Sequence, residues 1–486
     1  MSQHQPAIAT AAREKSRQRP LVVDLDGTLI KSDLLCESFL VLLSKRPLKA
    51  LAALATLRHG KAALKARLAA QAAIDCDALP LNDELVTLIR REKAQGRAVY
   101  LASASDRSLV DAVAKAVGLF DGVFASDGTT NLSGRRKAAI LVKAFGEGGF
   151  DYAGNSRTDL PVWEVAGEAI IVGGGNGFAR AVGRRFSGVQ HLDVRRLQLQ
   201  DYLRTLRVHQ WLKNLLIFVP AATAHRFMPM TAMALVLAFL SFSLCASSAY
   251  IANDLLDLNN DRAHARKRSR PLASGRMPLG HAMALMPALL ILAVLLALQL
   301  PRGFLVLLAA YYILTMGYSL VLKRKLIVDV VTLACLYGMR LAAGAVAVAV
   351  PLSPWFVAFS VFFFLCLALV KRCTEMTDRI AKDAGDPKGR GYIQRDLPML
   401  EAMAAGTGYV AIMIFALYIN SPAVAALYRS PEYLWAICLV LFYWISRVLL
   451  LTHRGDMHDD PVVFAATDLK SLVCGALIVV IGAFSI

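Results

Sequence analysis

From about residue 210 to its end, the sequence is a train of apolar runs, at about 212–224, 231–252, 281–299, 303–320, 327–350, 354–371, 403–420, 433–452 and 469–485. Each is long enough to cross a bilayer, or nearly so, because about 20 apolar residues on a helix match the hydrocarbon thickness. The pattern predicts an all-α bundle of nine transmembrane helices over 206–486, with the first run the weakest because Pro220 interrupts it. The first 200 residues read as ordinary soluble sequence, so the chain divides into a soluble head and a membrane body. A length of 486 residues, 56% of them apolar, also exceeds what one compact core accommodates.

Loop charge sets the expected orientation, since Lys and Arg collect on the cytoplasmic side of short loops. The loops after the second, fourth, sixth and eighth runs hold 18 Lys and Arg, against three (Arg226, Arg302, Arg429) on the opposite side. With an odd number of spans this places the N-terminus inside and the C-terminus outside a bacterial-type inner (plasma) membrane. The net charge of +18 is therefore mostly a topology signal and argues against a nucleic-acid partner. Residues 1–20 are polar, lack the apolar stretch of a secretory signal and read as a disordered tail, so the head is expected in the cytoplasm. Eight cysteines occur without CxxC pairs or His partners and read as small core residues.

The end of the second apolar run carries Asn253, Asp254, Asp257 and Asp261. At 3.6 residues per turn these fall on one helical face, and carboxylates converging there repel unless a cation sits between them. Magnesium fits, because it takes carboxylate oxygens and shares its shell with substrate phosphates. The loop that follows supplies bases, Arg262, Arg266, Lys267 and Arg270. Acids for a metal beside bases for phosphates describe a diphosphate site, and ionisable residues at membrane depth are mostly functional.

NDxxDxxxD followed by KxxRPLxxG, here Asn253 to Asp261 and then Lys267, Arg270, Pro271, Leu272 and Gly275, resembles the first signature of the UbiA-type superfamily of nine-span intramembrane transferases. Aromatic prenyltransferases of that group usually carry a second acid pair; here Asp329 stands with Leu333 in place of a second acid. HQWLKN (His209 to Asn214, with Lys213), LYGMRLAAG (Leu336 to Gly344, with Arg340), KRCTE (Lys371 to Glu375) and GRGY (Gly389 to Tyr392) are similar to the decaprenyl-phosphate phosphoribosyltransferase branch. The resemblance implies attack of a polyprenyl phosphate on C1 of phosphoribosyl diphosphate. Mg²⁺ on Asp254, Asp257 and Asp261 would neutralise the departing diphosphate, Lys267, Arg270 and Lys323 would complete the clamp, and Asn253, Lys213 and Tyr318 would join the substrate site. Asp329 would hold a second metal or orient the ribose hydroxyls, and Arg340, Lys371 and Arg372 would grip either the lipid phosphate or the 5-phosphate.

In the head, LVVDLDGTLI (residues 21–30) is a short apolar strand with Asp24 and Asp26 at its C-terminal tip, where α/β sheets bind ligands. This resembles the haloacid-dehalogenase superfamily of phosphatases, a Rossmann-like α/β fold, in which the first Asp is the nucleophile and the second the acid/base. Ser103, Lys137, Asn155 and Asp159 occupy the later motifs, and the implied Mg²⁺ set is Asp24, Asp26, Asn155 and Asp159. Asn155 departs from the family, where an acid usually follows the glycine. The domain is expected over 21–185 with a helical cap at about 33–85, followed by a linker at 186–205; the glycines at 173–175 close the last strand and are not a dinucleotide loop. A tethered phosphatase suits a transferase that installs a 5-phosphoribosyl group, since its removal of the 5-phosphate would leave polyprenyl-phosphoryl ribose. The competing readings are an aromatic prenyltransferase acting on a prenyl diphosphate, and a head that serves only as a regulatory or sensor module.

Overall fold

Leu21–Asp24, four residues with no polar side chain before the terminal acid, form the central strand β1 of a parallel sheet, and all four are buried. The computed structural model describes residues 19–173, 176–186, 189–192, 197–226, 228–264, 267–383, 385, 390–422, 424, 428–457 and 460–485. Most of the expected tail, Gly174 and Gly175, Arg266 and Gly389 lie outside the described residues. The chain separates into two compact units, one of residues up to Thr205 together with Ile251–Ala284, the other of Leu206–Tyr250 and Leu285–Ile486.

In the first unit the sheet runs β3-β2-β1-β4-β5-β6, with β2 Val99–Asp106, β3 Gly122–Ser126, β4 Asp151–Gly154, β5 Ala169–Val172 and β6 Val189–Leu192. All neighbours pair in parallel, with Asp24 opposite Ala102 and Val23 opposite Ala153. Parallel sheets need both faces covered, which explains two apolar clusters: Leu21, Val23 and Leu101 pack with Leu85 and Ile89, while Val22, Tyr152 and Ile171 pack with Leu141 and Trp163. The sheet thus carries the expected α/β architecture, but it does not stop at 185. Val189–Leu192 pairs with β5 as a sixth strand, so part of the expected linker belongs to the domain; its polar Gln190 and His191 on an edge strand hid it from pattern reading.

The cap consists of the helices Leu34–Lys45, Pro47–Leu54 and Lys61–Ala69 around a small core of Leu42, Ala50, Ala53, Leu64 and Leu68. Asp33 opens it by accepting from Cys36 N at 2.9 Å, an N-cap that ends the loop leaving β1.

The second unit is helical. Across the described residues of the chain, seven helices are long and apolar enough to span a membrane: Pro229–Leu256, Leu279–Ala297, Arg302–Leu320, Val328–Ala347, Pro354–Ala381, Leu397–Ile419 and Leu434–His453. Pro461–Thr467 with Leu469–Ser485 makes an eighth if that pair, bent by 80°, counts as one span. The expected ninth is absent from this set. Residues 212–224 fold instead as a 3₁₀ stretch, Val208–Phe218, and a short helix, Val219–Thr223. Pro220 cannot donate a backbone hydrogen bond, and Lys213 and Asn214 are buried on polar partners rather than presented to lipid. The last span bends at Asp468, which binds Arg447 at 2.7 and 3.0 Å and accepts from Ser471 N.

Candidate active sites

The first site forms where β1 ends. Asp24, 8% exposed, accepts from Lys137 Nζ at 2.6 Å and from Thr28 Oγ1 at 3.2 Å. Lys137 also reaches Ala102 O at 3.2 Å and Tyr152 Oη at 2.9 Å, and the Tyr152 hydroxyl donates to Asp159 Oδ1 at 2.9 Å. Burial pushes the Asp24 carboxyl up to about 6, a rise that the Lys137 ammonium partly offsets. Asp26 is also raised, by burial first and then by the negative charge of Asp33, which favours the protonated form an acid catalyst needs. Its Oδ1 accepts from Leu34 N at 2.8 Å, and its Oδ2 from Ser103 and Ser105 hydroxyls at 3.2 and 2.7 Å.

Several assignments acquire a physical setting here. Ser103 is fully buried and directed to Asp26; Ser105, its partner in that task, was not singled out in the sequence, although it lies two positions along the same strand and so on the same side. Asp159 accepts from Asn155 N at 3.2 Å and from Ser156 N and Oγ at 3.0 and 2.9 Å, so both of its oxygens are held by protein donors. It braces the turn that carries Asn155. Gly27, in the loop after β1, is held at φ +74°, a conformation that favours glycine, and a Cβ there would lie 2.3 Å from Asn155 Nδ2, so the two loops pack closely. Lys65, from the cap helix Lys61–Ala69, donates to Ala104 O at 2.6 Å beside Asp26; burial lowers its pKa, and no motif announces it.

Among the described residues no group of three or more His, Cys, Asp or Glu is gathered into a metal site. The first site is nonetheless compatible with a hard cation in its donor chemistry, because Asp24, Asp26 and Asn155 all face one cavity and offer oxygens.

The acidic motif Asn253–Asp261 also lies in the first unit. The helix Pro229–Leu256 ends before Asp257, which has φ −96° and ψ 13° and precedes the helix Leu258–Ala263. The expected continuous helical face is therefore broken at Asp257, although the four-residue backbone hydrogen bonds from Asp257 to Asn253 and from Asp261 to Asp257 persist at 2.9 Å. Arg270 Nη1 joins the two buried acids, 3.1 Å from Asp254 Oδ1 and 2.6 Å from Asp261 Oδ2, with Lys267 Nζ 3.9 Å from Asp261 Oδ1. Burial raises the Asp261 carboxyl and Arg270 counters it. Two carboxylates converging on one cation have the donor chemistry of a divalent-metal site, with a guanidinium as the positive charge between them. Asp257 and Asn253 are half-buried at the same helix end.

In the second unit Asp329, fully buried, accepts from Tyr318 Oη at 2.8 Å and pairs with Arg372 Nε at 2.5 Å and Arg390 Nη1 at 3.4 Å. Lys213 and Lys371 both bind Asp460 Oδ2 at 2.7 Å, and the Tyr337 hydroxyl reaches its Oδ1 at 3.3 Å. Asp460 was missed in the sequence; the available signal was an acid beside an apolar segment, where charge is expensive. Arg340 is buried and locked to Asn214 at 2.8 Å and Tyr311 at 3.0 Å. Lys323 is half-buried in the turn Leu322–Arg324.

Fold and motifs together define a membrane-embedded transferase body joined to a hydrolase head. Residues 215–472 match the UbiA prenyltransferase family, and residues 21–164 match haloacid dehalogenase-like hydrolases. The chain is 39% identical over 476 residues to the uncharacterized protein y4nM of Sinorhizobium fredii, covering 95% of this chain and 90% of that one. It is 34% identical to nodulation protein NoeC of Azorhizobium caulinodans, covering 57% of this chain and 91% of that one. It is also 32% identical over 180 residues to decaprenyl-phosphate phosphoribosyltransferase of Mycolicibacterium smegmatis, covering 36% of this chain and 56% of that one. The protein belongs to the UbiA prenyltransferase family and carries a haloacid dehalogenase-like domain at its N-terminal side; it is an integral membrane enzyme.

Proposed function

We propose that the membrane body transfers a 5-phosphoribosyl group from phosphoribosyl diphosphate to a polyprenyl phosphate, and that the head removes the 5-phosphate to give polyprenyl-phosphoryl ribose. The observation that carries the first half is the convergence of Asp254 and Asp261 on the single Arg270 guanidinium, in a loop that also holds Lys267. Similarity to decaprenyl-phosphate phosphoribosyltransferase supports the choice of donor and acceptor. The loop-charge asymmetry supports both sites facing the cytoplasm.

In the transfer, a phosphate oxygen of the lipid bonds to ribose C1 as the bond from C1 to the diphosphate oxygen breaks, and diphosphate leaves with the electron pair. Magnesium held by Asp254, Asp257 and Asp261 would supply neutralising charge to that leaving group. Lys267 and Arg270 add fixed positive charge from the protein, and Lys323, Lys213, Arg340, Lys371 and Arg372 are the candidates for holding the phosphates of the two substrates. The nucleophile is already an anion, so no general base is required.

In the head, Asp24 attacks phosphorus and the ester oxygen of the substrate departs with a proton from Asp26; water then cleaves the aspartyl phosphate to free phosphate. Lys137 steadies the phosphoryl oxygens and the nucleophile together. Asn155 and Asp24 would hold the magnesium, with Asp159 bracing the turn.

Labelled phosphoribosyl diphosphate tests the transfer. Wild-type protein with Mg²⁺ and polyprenyl phosphate should move the label into the organic phase, and Asp257→Ala should stop it. Full transfer by Asp257→Ala would exclude a diphosphate site at this motif, and label transfer only from a prenyl diphosphate to an aromatic acceptor would favour the aromatic prenyltransferase reading.

A further inference from the structure

One wall of the head's cavity comes from outside the head's own motifs. The cavity, about 1440 Å³, is lined by Asp24 and Asp26 and also by Ser274, Gly275, Arg276 and Leu279, residues that end and follow the KxxRPLxxG motif. A site for a small phosphate ester alone has no need of this volume, since pockets for drug-sized ligands run from about 300 to 1,000 Å³.

Two contacts fix this segment against the hydrolase fold. Arg262 and Glu37, the latter on the first cap helix, form a buried two-bond fork at 3.1 and 2.5 Å, with side chains 3% and 0% exposed. Such a pair holds its geometry because either charge alone would be left desolvated. Gly275, at φ +69°, lets the backbone lie directly on the segment after β1; a Cβ there would meet Lys31 Cβ at 2.6 Å and Lys31 O at 2.9 Å. The next residue, Arg276, is half-buried on the cavity wall. Its Nε donates to Ser274 Oγ at 3.0 Å and its Nη2 to Ser269 O, and it has no carboxylate partner among the described residues. A partly desolvated guanidinium aimed by neutral groups alone retains its capacity for an anion.

We propose that Arg276 is a specificity-determining residue of the phosphatase site, binding a second phosphate of a substrate whose terminal phosphomonoester is held at Asp24. The substrate class is a sugar monophosphate that carries a further phosphate in diester linkage, and this rests on the reading that the head acts on the phosphoribosylated lipid. Arg276 acts on substrate affinity; the bond-breaking groups remain Asp24 and Asp26.

The test uses the full chain in detergent with Mg²⁺, a 5-phosphoribosyl phosphodiester of a short polyprenol, and p-nitrophenyl phosphate as a substrate without a second phosphate. Arg276→Ala should lower kcat/KM for the diester-linked substrate at least about tenfold more than for p-nitrophenyl phosphate, chiefly through KM, as loss of one charge-assisted contact predicts. Arg276→Lys should recover part of it. If wild type hydrolyses both substrates and Arg276→Ala affects them equally, the role of Arg276 is overturned while the reading of the head stands. If wild type hydrolyses p-nitrophenyl phosphate and leaves the diester-linked substrate intact, that reading fails and the proposal fails with it.

Discussion

Lys137 donates to Asp24 across 2.6 Å although the two residues lie 113 positions apart. The parallel sheet makes this contact possible: β1 delivers Asp24 at its tip, and the helix Arg135–Phe145 delivers Lys137 in its first turn. One ammonium thus holds the proposed nucleophile and, through Tyr152, the Asp159 turn.

That arrangement predicts a pH-dependent stability. Burial raises the Asp24 carboxyl to about 6, so its contribution to the stability of the metal-free protein is complete below the unfolded value near 3.8 and is lost as pH rises through about 6. In EDTA-treated protein, wild type should therefore lose up to about 3 kcal/mol of stability relative to Asp24→Asn as pH rises from 4 to above 6.5. Thermal unfolding of the two proteins across pH 4–8 measures it, and a wild type that gains stability over the variant as pH rises would contradict the account.

Asn155 sits where the family usually has an acid, and its amide lies against Gly27 in the loop after Asp24. Asn155→Asp should restore a carboxylate to the magnesium shell and lower the Mg²⁺ concentration for half-maximal phosphatase activity about tenfold, roughly 1.4 kcal/mol of added affinity. An unchanged magnesium requirement would remove Asn155 from the shell.

Glu37→Ala strands Arg262 in a buried site, and such single deletions cost about 3–5 kcal/mol. The unfolding transition of the head should fall accordingly, while the double variant Glu37→Leu with Arg262→Met should recover most of it. Equal stability of Glu37→Ala and wild type would show the pair to be energetically idle.

Arg270→Ala removes the cation shared by Asp254 and Asp261, and phosphoribosyl transfer should fall at least about 100-fold, the scale expected when a charge aimed at the leaving group is lost. Initial rates of label transfer at saturating Mg²⁺ provide the check.

Much of this was readable in the sequence because it depends on local spacing. Asp24 ends a short, otherwise apolar strand and Asp26 follows two positions on, while Asp254 and Asp261 bracket a helix end. What escaped depends on tertiary context. The 3₁₀ course of Val208–Phe218 follows from where Lys213 and Asn214 find partners, Asp460 in one case 247 positions away. The break at Asp257 interrupts a sequence whose periodicity continues unchanged through it. Lys65 and Arg276 carry no motif at all, and only the folding of the cap and of the segment after Asp261 brings them to one cavity with Asp24.

The most direct test of the central claim is mass spectrometry of the lipids formed when purified protein and Mg²⁺ meet polyprenyl phosphate and phosphoribosyl diphosphate. Wild type should yield polyprenyl-phosphoryl ribose, and Asp24→Asn should stop at the phosphoribosylated lipid, heavier by one phosphate. A failure of both proteins to form any ribosylated lipid would contradict the account.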